Sequence, residues 1–385
     1  MINPFEVMRK IALSLIVLGL GLGAQFCSSV RPNVSSPYAA GSLFPLGEAA
    51  EVIYEGEINR LSRRENEWIY FSTRNGAIYC VNGEKKEIAW KFTAENPVAL
   101  PPFVGQEHLF FQDTQNNITG LDKKGNMLWE KKIHGNISSE VRENQGRIFL
   151  GTDNGEFLVL ETAQGDDVWR YQAKGKVLTE AVCWRDEIIF GADDRQLYFL
   201  GRNGQLHAAH SLPAGIQGPL YLEGNSLYFS TDDRFFYRLD LNRRKVKWKT
   251  ATGGTLVSSP VTDKKRMFIL NSNNVLACLN KKSGDILWWK GIPSRSSYDL
   301  ELCGEKIVVS SSSSLLVFFD AVTGEKAGEY DAGQEIRSNP LWFESYLVIH
   351  LFNSEENKGR LVFLKKKEDQ QSPSESERRG NNEKR

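Results

Sequence analysis

Five tryptophans set the constraint that any fold of this chain must satisfy. Trp90, Trp129, Trp169, Trp248 and Trp288 each stand four residues after a turn residue, respectively Lys86, Gly125, Gly165, Arg244 and Gly284. Two further turns, at Gly204 and Gly324, carry Ala208 and Gly328 in the tryptophan's place. From Lys86 to Gly324 the turn residues step by 39, 40, 39, 40, 40 and 40. A period that steady is the mark of a repeat architecture, in which each unit buries its apolar surface against its neighbours.

Inside each unit the pattern has period two. One copy runs Arg147–Thr152, a turn at Asp153-Asn154-Gly155, then Glu156–Leu160, a second turn ending at Gly165, and Asp167–Tyr171. These runs are rich in aromatic and β-branched residues and are bounded by Gly, Asn and Asp, as strands and hairpins require. A further short strand precedes each, such as Leu178–Trp184. Four antiparallel strands in about 40 residues describe a blade of a β-propeller. After Gly324 three strands remain, Ile336–Phe343, Tyr346–Phe352 and Arg360–Leu364, and one unpaired strand lies near Ala49–Tyr54. If that N-terminal strand becomes the outer strand of the last blade, no sheet edge is left open at the seam. The expectation is an all-β, eight-bladed propeller closed by the N-terminal strand, with seven blades as the alternative.

The propeller accounts for residues 44–368. Before it, Arg9-Lys10 precede an apolar run, Ile11–Ala24, ending in small residues. That run makes about 21 Å of helix, short of a bilayer's hydrocarbon core of about 30 Å, and reads as a secretory signal peptide over residues 1–27. Cys27 is a candidate lipidation site, although Ala24-Gln25-Phe26 departs from the Leu-x-(Gly/Ala)-Cys pattern; cleavage after Gly23, Ala24 or Ser29 is the alternative. Residues 28–43 read as a flexible leader and residues 369–385 as a disordered polar tail. Export places the protein in the periplasm or on the periplasmic side of an outer membrane. Lys and Arg number 48, as do Asp and Glu, so the balance calls for neither nucleic acid nor an anionic membrane.

The other cysteines occupy matched repeat positions: Cys80 and Cys278 lie six residues before their turn residue, Cys183 and Cys303 lie 21 before. Members of each pair fall three units apart in a ring, too far to bridge, and are expected as buried free thiols. Of the five histidines, His207 and His210 share a strand at a spacing that puts them on opposite faces, against a joint metal site. No GxSxG, HExxH, CxxC or P-loop occurs, and no catalytic, cofactor or metal residue is assigned.

The tryptophans read as wedges between successive blades, each burying about 150–250 Å² of ring, because a ligand platform would not recur identically in five units. One feature breaks the symmetry. Asp113, Asp153, Asp193 and Asp232 fall in the same inner-hairpin turn of units two to five, where unit one has Arg74 and units six and seven have Ser272 and Ser312. Turn chemistry explains an Asp there. The four together, with Lys131, Lys132, Lys174 and Lys176, also make a candidate charged docking face.

The segments Thr152–Leu160, Phe319–Glu325 and Ser283–Trp288 resemble the PQQ-like repeat. That repeat is shared by quinoprotein dehydrogenases, whose eight-bladed propellers bind pyrroloquinoline quinone and calcium, and by the BamB family of periplasmic lipoproteins in outer-membrane β-barrel assembly. This chain lacks the adjacent Cys-Cys pair of many quinoproteins and is shorter than they are. The resemblance therefore implies a non-catalytic, monomeric protein-binding scaffold without cofactor, whose partner is a barrel-assembly subunit. A small quinoprotein-type dehydrogenase and a periplasmic ligand-binding or sensor propeller are the alternatives.

Overall fold

The structure, a computed structural model, describes residues 46–366 except 99, 100, 297 and 344. The regular elements among them are strands, assembled into eight four-stranded antiparallel sheets. Blade one takes Ile58–Glu65, Trp68–Thr73, Ala77–Asn82 and Glu87–Thr93 in order from axis to rim, and blades two to seven repeat the scheme. Blade eight takes Leu341–Phe343, Tyr346–Asn353 and Lys358–Lys366, and its outer strand is Leu46–Glu55. That closing strand pairs with Lys358–Lys366 in the register Val52↔Leu361 and Tyr54↔Gly359. The innermost strand of blade one packs against those of blades two and eight, which completes the ring. The fold is the eight-bladed propeller.

Two local expectations need correction. The innermost strands are shorter than the sequence implies: Leu178–Trp184 reduces to Val182–Trp184, and Ile336–Phe343 to Leu341–Phe343. Hydroxyls interrupt the ladder there. Gly151 N donates to Ser139 Oγ at 2.7 Å and Gly191 N to Thr179 Oγ1 at 2.8 Å, replacing the carbonyls a regular strand would offer. Nor is period two general. Ala77–Asn82 is buried at every position, and so is Phe157–Leu160. Each sheet is covered on both faces by neighbouring blades, so its middle strands lose the alternation; it survives in the outer strands, as at Glu87–Thr93.

The core is accordingly distributed around the ring. The cluster of Ile69, Phe71 and Tyr79 with Leu341, Phe343 and Phe363 fills the seam between blades eight and one. That of Ile189, Phe199, Leu227, Phe229 and Tyr237 fills the seam between four and five. Each of blades one to seven also has a register shift in its outer strand just before the tryptophan position, for example between Cys80 and Val81 opposite Trp90 and Ile88. The extra residue re-aims the tryptophan toward the next blade. The signal-peptide segment, the leader, Cys27 and the polar tail lie outside the described residues.

Candidate functional site

The five tryptophans meet a common environment. Trp90 Nε1 donates to Lys123 O at 3.0 Å, Trp129 to Thr162 O at 2.8 Å, Trp169 to Arg202 O at 2.8 Å, Trp248 to Lys281 O at 3.2 Å and Trp288 to Ala321 O at 3.2 Å. Each acceptor belongs to the outer turn of the next blade. The ring then covers that turn's glycine. A Cβ on Gly125, Gly165, Gly204, Gly284 or Gly324 would come within 2.6–2.7 Å of the indole of the preceding blade. Only a glycine leaves room for this contact, and its positive φ suits the turn. Trp129 is buried, and the other four keep partial exposure at the rim.

Three of the eight seams lack the tryptophan. Between blades seven and eight Gly328 meets no outer turn, because the two outer strands of blade eight come from opposite ends of the chain; at the other two seams the turn residue is a cation. Blade four has Ala208, and blade five turns at Arg244, whose guanidinium lies over Phe199 and donates to Glu187 Oε1 at 2.5 Å. Blade one turns at Lys86, whose Nζ lies 4.7 Å from the centre of the Tyr346 ring of blade eight. Sequence reasoning missed this exchange, although it was visible there: Lys86 and Arg244 are the two turn residues of the seven that are not glycine.

The inner-hairpin turns and the blade-to-blade connections share one face of the disc. Asp153 N donates to Asn136 O, Asp193 N to Lys176 O and Asp232 N to Gly215 O, all across to the connection that leads into the blade. The carboxylates of Asp153 and Asp193 clamp the same segments: Asn136 N reaches Asp153 Oδ1 at 2.9 Å, and Lys176 N reaches Asp193 Oδ1 at 2.7 Å. Hydrogen bonds from the Asn136 side chain and backbone hold the Asp153 carboxyl below the usual carboxylate range. Asp232 is raised instead, by burial and then by the charges of Asp193 and Asp233.

Asp113 is not equivalent to these three. Its N–H closes its own turn onto Asn117 O, as Thr152 does onto Glu156 O, and the residue matching Asp153 in blade two is Thr114, which donates to Pro97 O. The left-handed residue falls three positions after Asp113, at Asn116, but two after Asp153, at Gly155. Asp113 is 4% exposed and accepts from Gln115 N, Asn117 N and the Asn96 side chain. Lys131 leaves the group and pairs with Asp167 at the outer turn, whereas Lys132 stays by the inner-hairpin turn of blade two, where it donates to Gln115 O. What remains on blades three to five is Asp153, Asp193 and Asp232 with exposed Lys174 and Lys176, joined by Asp194 and Asp233, which accept from the hydroxyls of Tyr198 and Tyr237.

The axis of the ring opens into a cavity of about 400 Å³, lined by residues from seven blades, among them Asn59, Phe103, Glu140, Glu180, Ser259 and Asp299. Arg142 bridges Glu180 and Glu140, the latter at 3.5 Å. Cys80, Cys183, Cys278 and Cys303 are buried and unbridged. His207 faces Glu187 at 3.1 Å and His210 pairs with Leu197. Among the described residues no three His, Cys, Asp or Glu side chains come close enough to share a metal ion.

The profile of the family described as outer membrane protein assembly factor BamB matches residues 59–143, 124–254 and 245–383. The chain belongs to this family. No curated protein matches it. Among solved structures it resembles BamB from Moraxella catarrhalis, with a TM-score of 0.70 at 13% identity over 85% of this chain and 100% of that one. It also resembles the computationally designed Ika8 protein, with a TM-score of 0.67 at 11% identity over 80% of this chain and 97% of that one. A third is the quinohemoprotein alcohol dehydrogenase of Comamonas testosteroni, with a TM-score of 0.66 at 10% identity over 85% of this chain and 78% of that one. Identities this low establish a shared fold. The axial cavity of this BamB-family chain does not suit pyrroloquinoline quinone. That cofactor carries three carboxylates, whereas the lining holds Glu140, Glu180 and Asp299, and Arg142 is already paired with two of them.

Proposed function

We propose that this protein is a non-catalytic, exported scaffold that binds a protein partner in outer-membrane β-barrel assembly. The observation that carries the reading is the match to the BamB family from residue 59 to residue 383. The acidic lining of the axial cavity supports it against a quinoprotein dehydrogenase. A rigid ring of sheets presents irregular segments on a fixed frame, a suitable platform for a docking domain or strand. We place the docking surface on the connection face of blades three to five, where Asp153, Asp193 and Asp232 alternate with Lys174 and Lys176. The leading segment 1–27, with Cys27 as a lipid attachment point, would deliver and tether the protein at the periplasmic side of the outer membrane.

The test is affinity capture of the tagged mature protein from detergent-solubilised cell envelope, with captured proteins identified by mass. Recovery of a barrel-assembly subunit is the expected result. Recovery of none, together with saturable uptake of pyrroloquinoline quinone by the purified protein, would replace the scaffold with the enzyme.

A further inference from the structure

On the opposite face, where the outer turns lie, blades three and four enclose a second cavity of about 240 Å³. Its polar wall is built from Arg147, Arg185, Arg202, Asp186 and Glu187, and Phe149, Ile188 and buried Cys183 form its apolar floor. Both acidic residues are already matched: Asp186 pairs with Arg202 at 2.9 Å, and Glu187 with Arg244 at 2.5 Å. Arg147 and Arg185 have no carboxylate within ion-pair distance among the described residues. Arg147 donates to Arg202 O at 3.2 Å. Arg185 donates to Asn242 Oδ1 at 2.7 Å and its guanidinium carbon stacks 4.3 Å from the centre of the Trp184 ring.

These contacts fix the two guanidiniums without neutralising them. The φ of Arg185 is 55°, and the matching turns of blades five and seven place Gly224 at 58° and Gly304 at 57°. The same left-handed position holds Asn66 at 51° in blade one and Gln145 at 52° in blade three, so the turn tolerates either glycine or a longer side chain, and Arg185 is the one that carries a charge to this cavity. Guanidiniums present a planar fork of donors suited to oxyanions. Two uncompensated positive charges match a dianion, and a phosphate monoester carries about −1.5 to −2 at neutral pH.

We propose that this cavity binds a phosphate monoester, held by Arg147 and Arg185 with Arg202 completing the wall. The volume accommodates the phosphate with a small substituent against Phe149 and Ile188. The test is isothermal titration of the full-length protein with glycerol phosphate and with inorganic phosphate, at ionic strength held constant with sodium chloride. Saturable binding is expected, weakened about tenfold or more by Arg147→Gln and by Arg185→Gly. The glycine variant relieves the turn, so loss of folding does not confound it. Acetate at the same ionic strength should not bind. Absence of saturable heat, unchanged affinity in the double variant, or acetate binding as tightly would each overturn the site. Vesicles of phosphatidylcholine containing phosphatidic acid identify the source: co-sedimentation lost in the double variant assigns a lipid headgroup, and soluble binding without co-sedimentation assigns a free phosphate ester.

Discussion

The guanidinium carbon of Arg244 lies 4.5 Å from the centre of the Phe199 ring, across the seam where blade four has no tryptophan to offer. Phe199 pairs with Ala208, the residue at the tryptophan position, so the arginine reaches back into the space an indole would fill. Where the preceding blade supplies a tryptophan the turn residue is glycine; at two of the three seams without one it is a cation, and the third, between blades seven and eight, has no outer turn because the strands there come from opposite ends of the chain.

That exchange predicts a coupled pair. Ala208→Trp alone should destabilise by about 1–3 kcal/mol, because the indole collides with Arg244. Arg244→Gly alone should cost about 1–3 kcal/mol by stripping Glu187 of its guanidinium. The double variant restores the pairing of the other seams and should be more stable than the sum of the singles by about 1 kcal/mol or more. Urea unfolding of the four proteins reads this directly; strict additivity would refute it.

Gly204→Ala tests the glycine side of the same contact. The new methyl would lie 2.7 Å from the Trp169 ring at a φ of 80°. A loss of about 2 kcal/mol in unfolding free energy is expected. The same change at Gly224, whose Cβ would meet nothing within 4 Å at a φ of 58°, should cost about 1 kcal/mol, the backbone share alone.

Ring closure should carry a pH signature. His350 is fully buried between blades eight and one, with Nδ1 2.9 Å from the Tyr54 hydroxyl of the closing strand. Burial lowers it from 6.5 to about 3. The unfolded chain therefore takes up a proton that the folded chain refuses. Stability is complete above pH 6.5 and falls by up to about 1.4 kcal/mol per pH unit from there toward pH 3. His210 is also lowered, by burial and by Arg244, but titrates equally in a His350→Phe variant. Melting temperatures at pH 7.5 and pH 5 should therefore differ more in the parent than in that variant.

The thiols should be inert in the folded state. Burial pushes Cys80 and Cys278 up to about 12 and Cys303 well above its ordinary value. Iodoacetamide at pH 8 should label none of the three until denaturant opens the blades, as mass spectrometry of the alkylated protein would show.

For the docking face the structure dictates gentle variants. Asp153 and Asp193 hold the backbone of the connecting segments, so lysine at either position would disturb the loops as well as the charge. Asp153→Asn with Asp193→Asn keeps an acceptor and removes the charge. Partner capture should drop about tenfold, more steeply at low salt. Unchanged capture would remove these carboxylates from the interface.

The repeat period, the blade count, the closing strand and the five tryptophan positions were all legible in the chain, because each copy writes its turns and strands locally. Lys86 and Arg244 were legible too, as the turn residues that break the glycine rule, but their meaning needed the neighbouring blade. Asp113 shows the opposite failure: its turn resembles that of Asp153 in composition, and only the position of the left-handed residue separates them. The shortened inner strands had no clear sequence mark, since they arise from hydroxyls that enter the ladder, and the outer-strand bulges show only in the paired register. What the sequence determined by itself was local and periodic. What tertiary structure decided was which side chains meet across seams some 40 residues apart in the chain, and therefore which arginines are left without a carboxylate. Charge compensation is a property of distances in space, and no spacing along the chain encodes it.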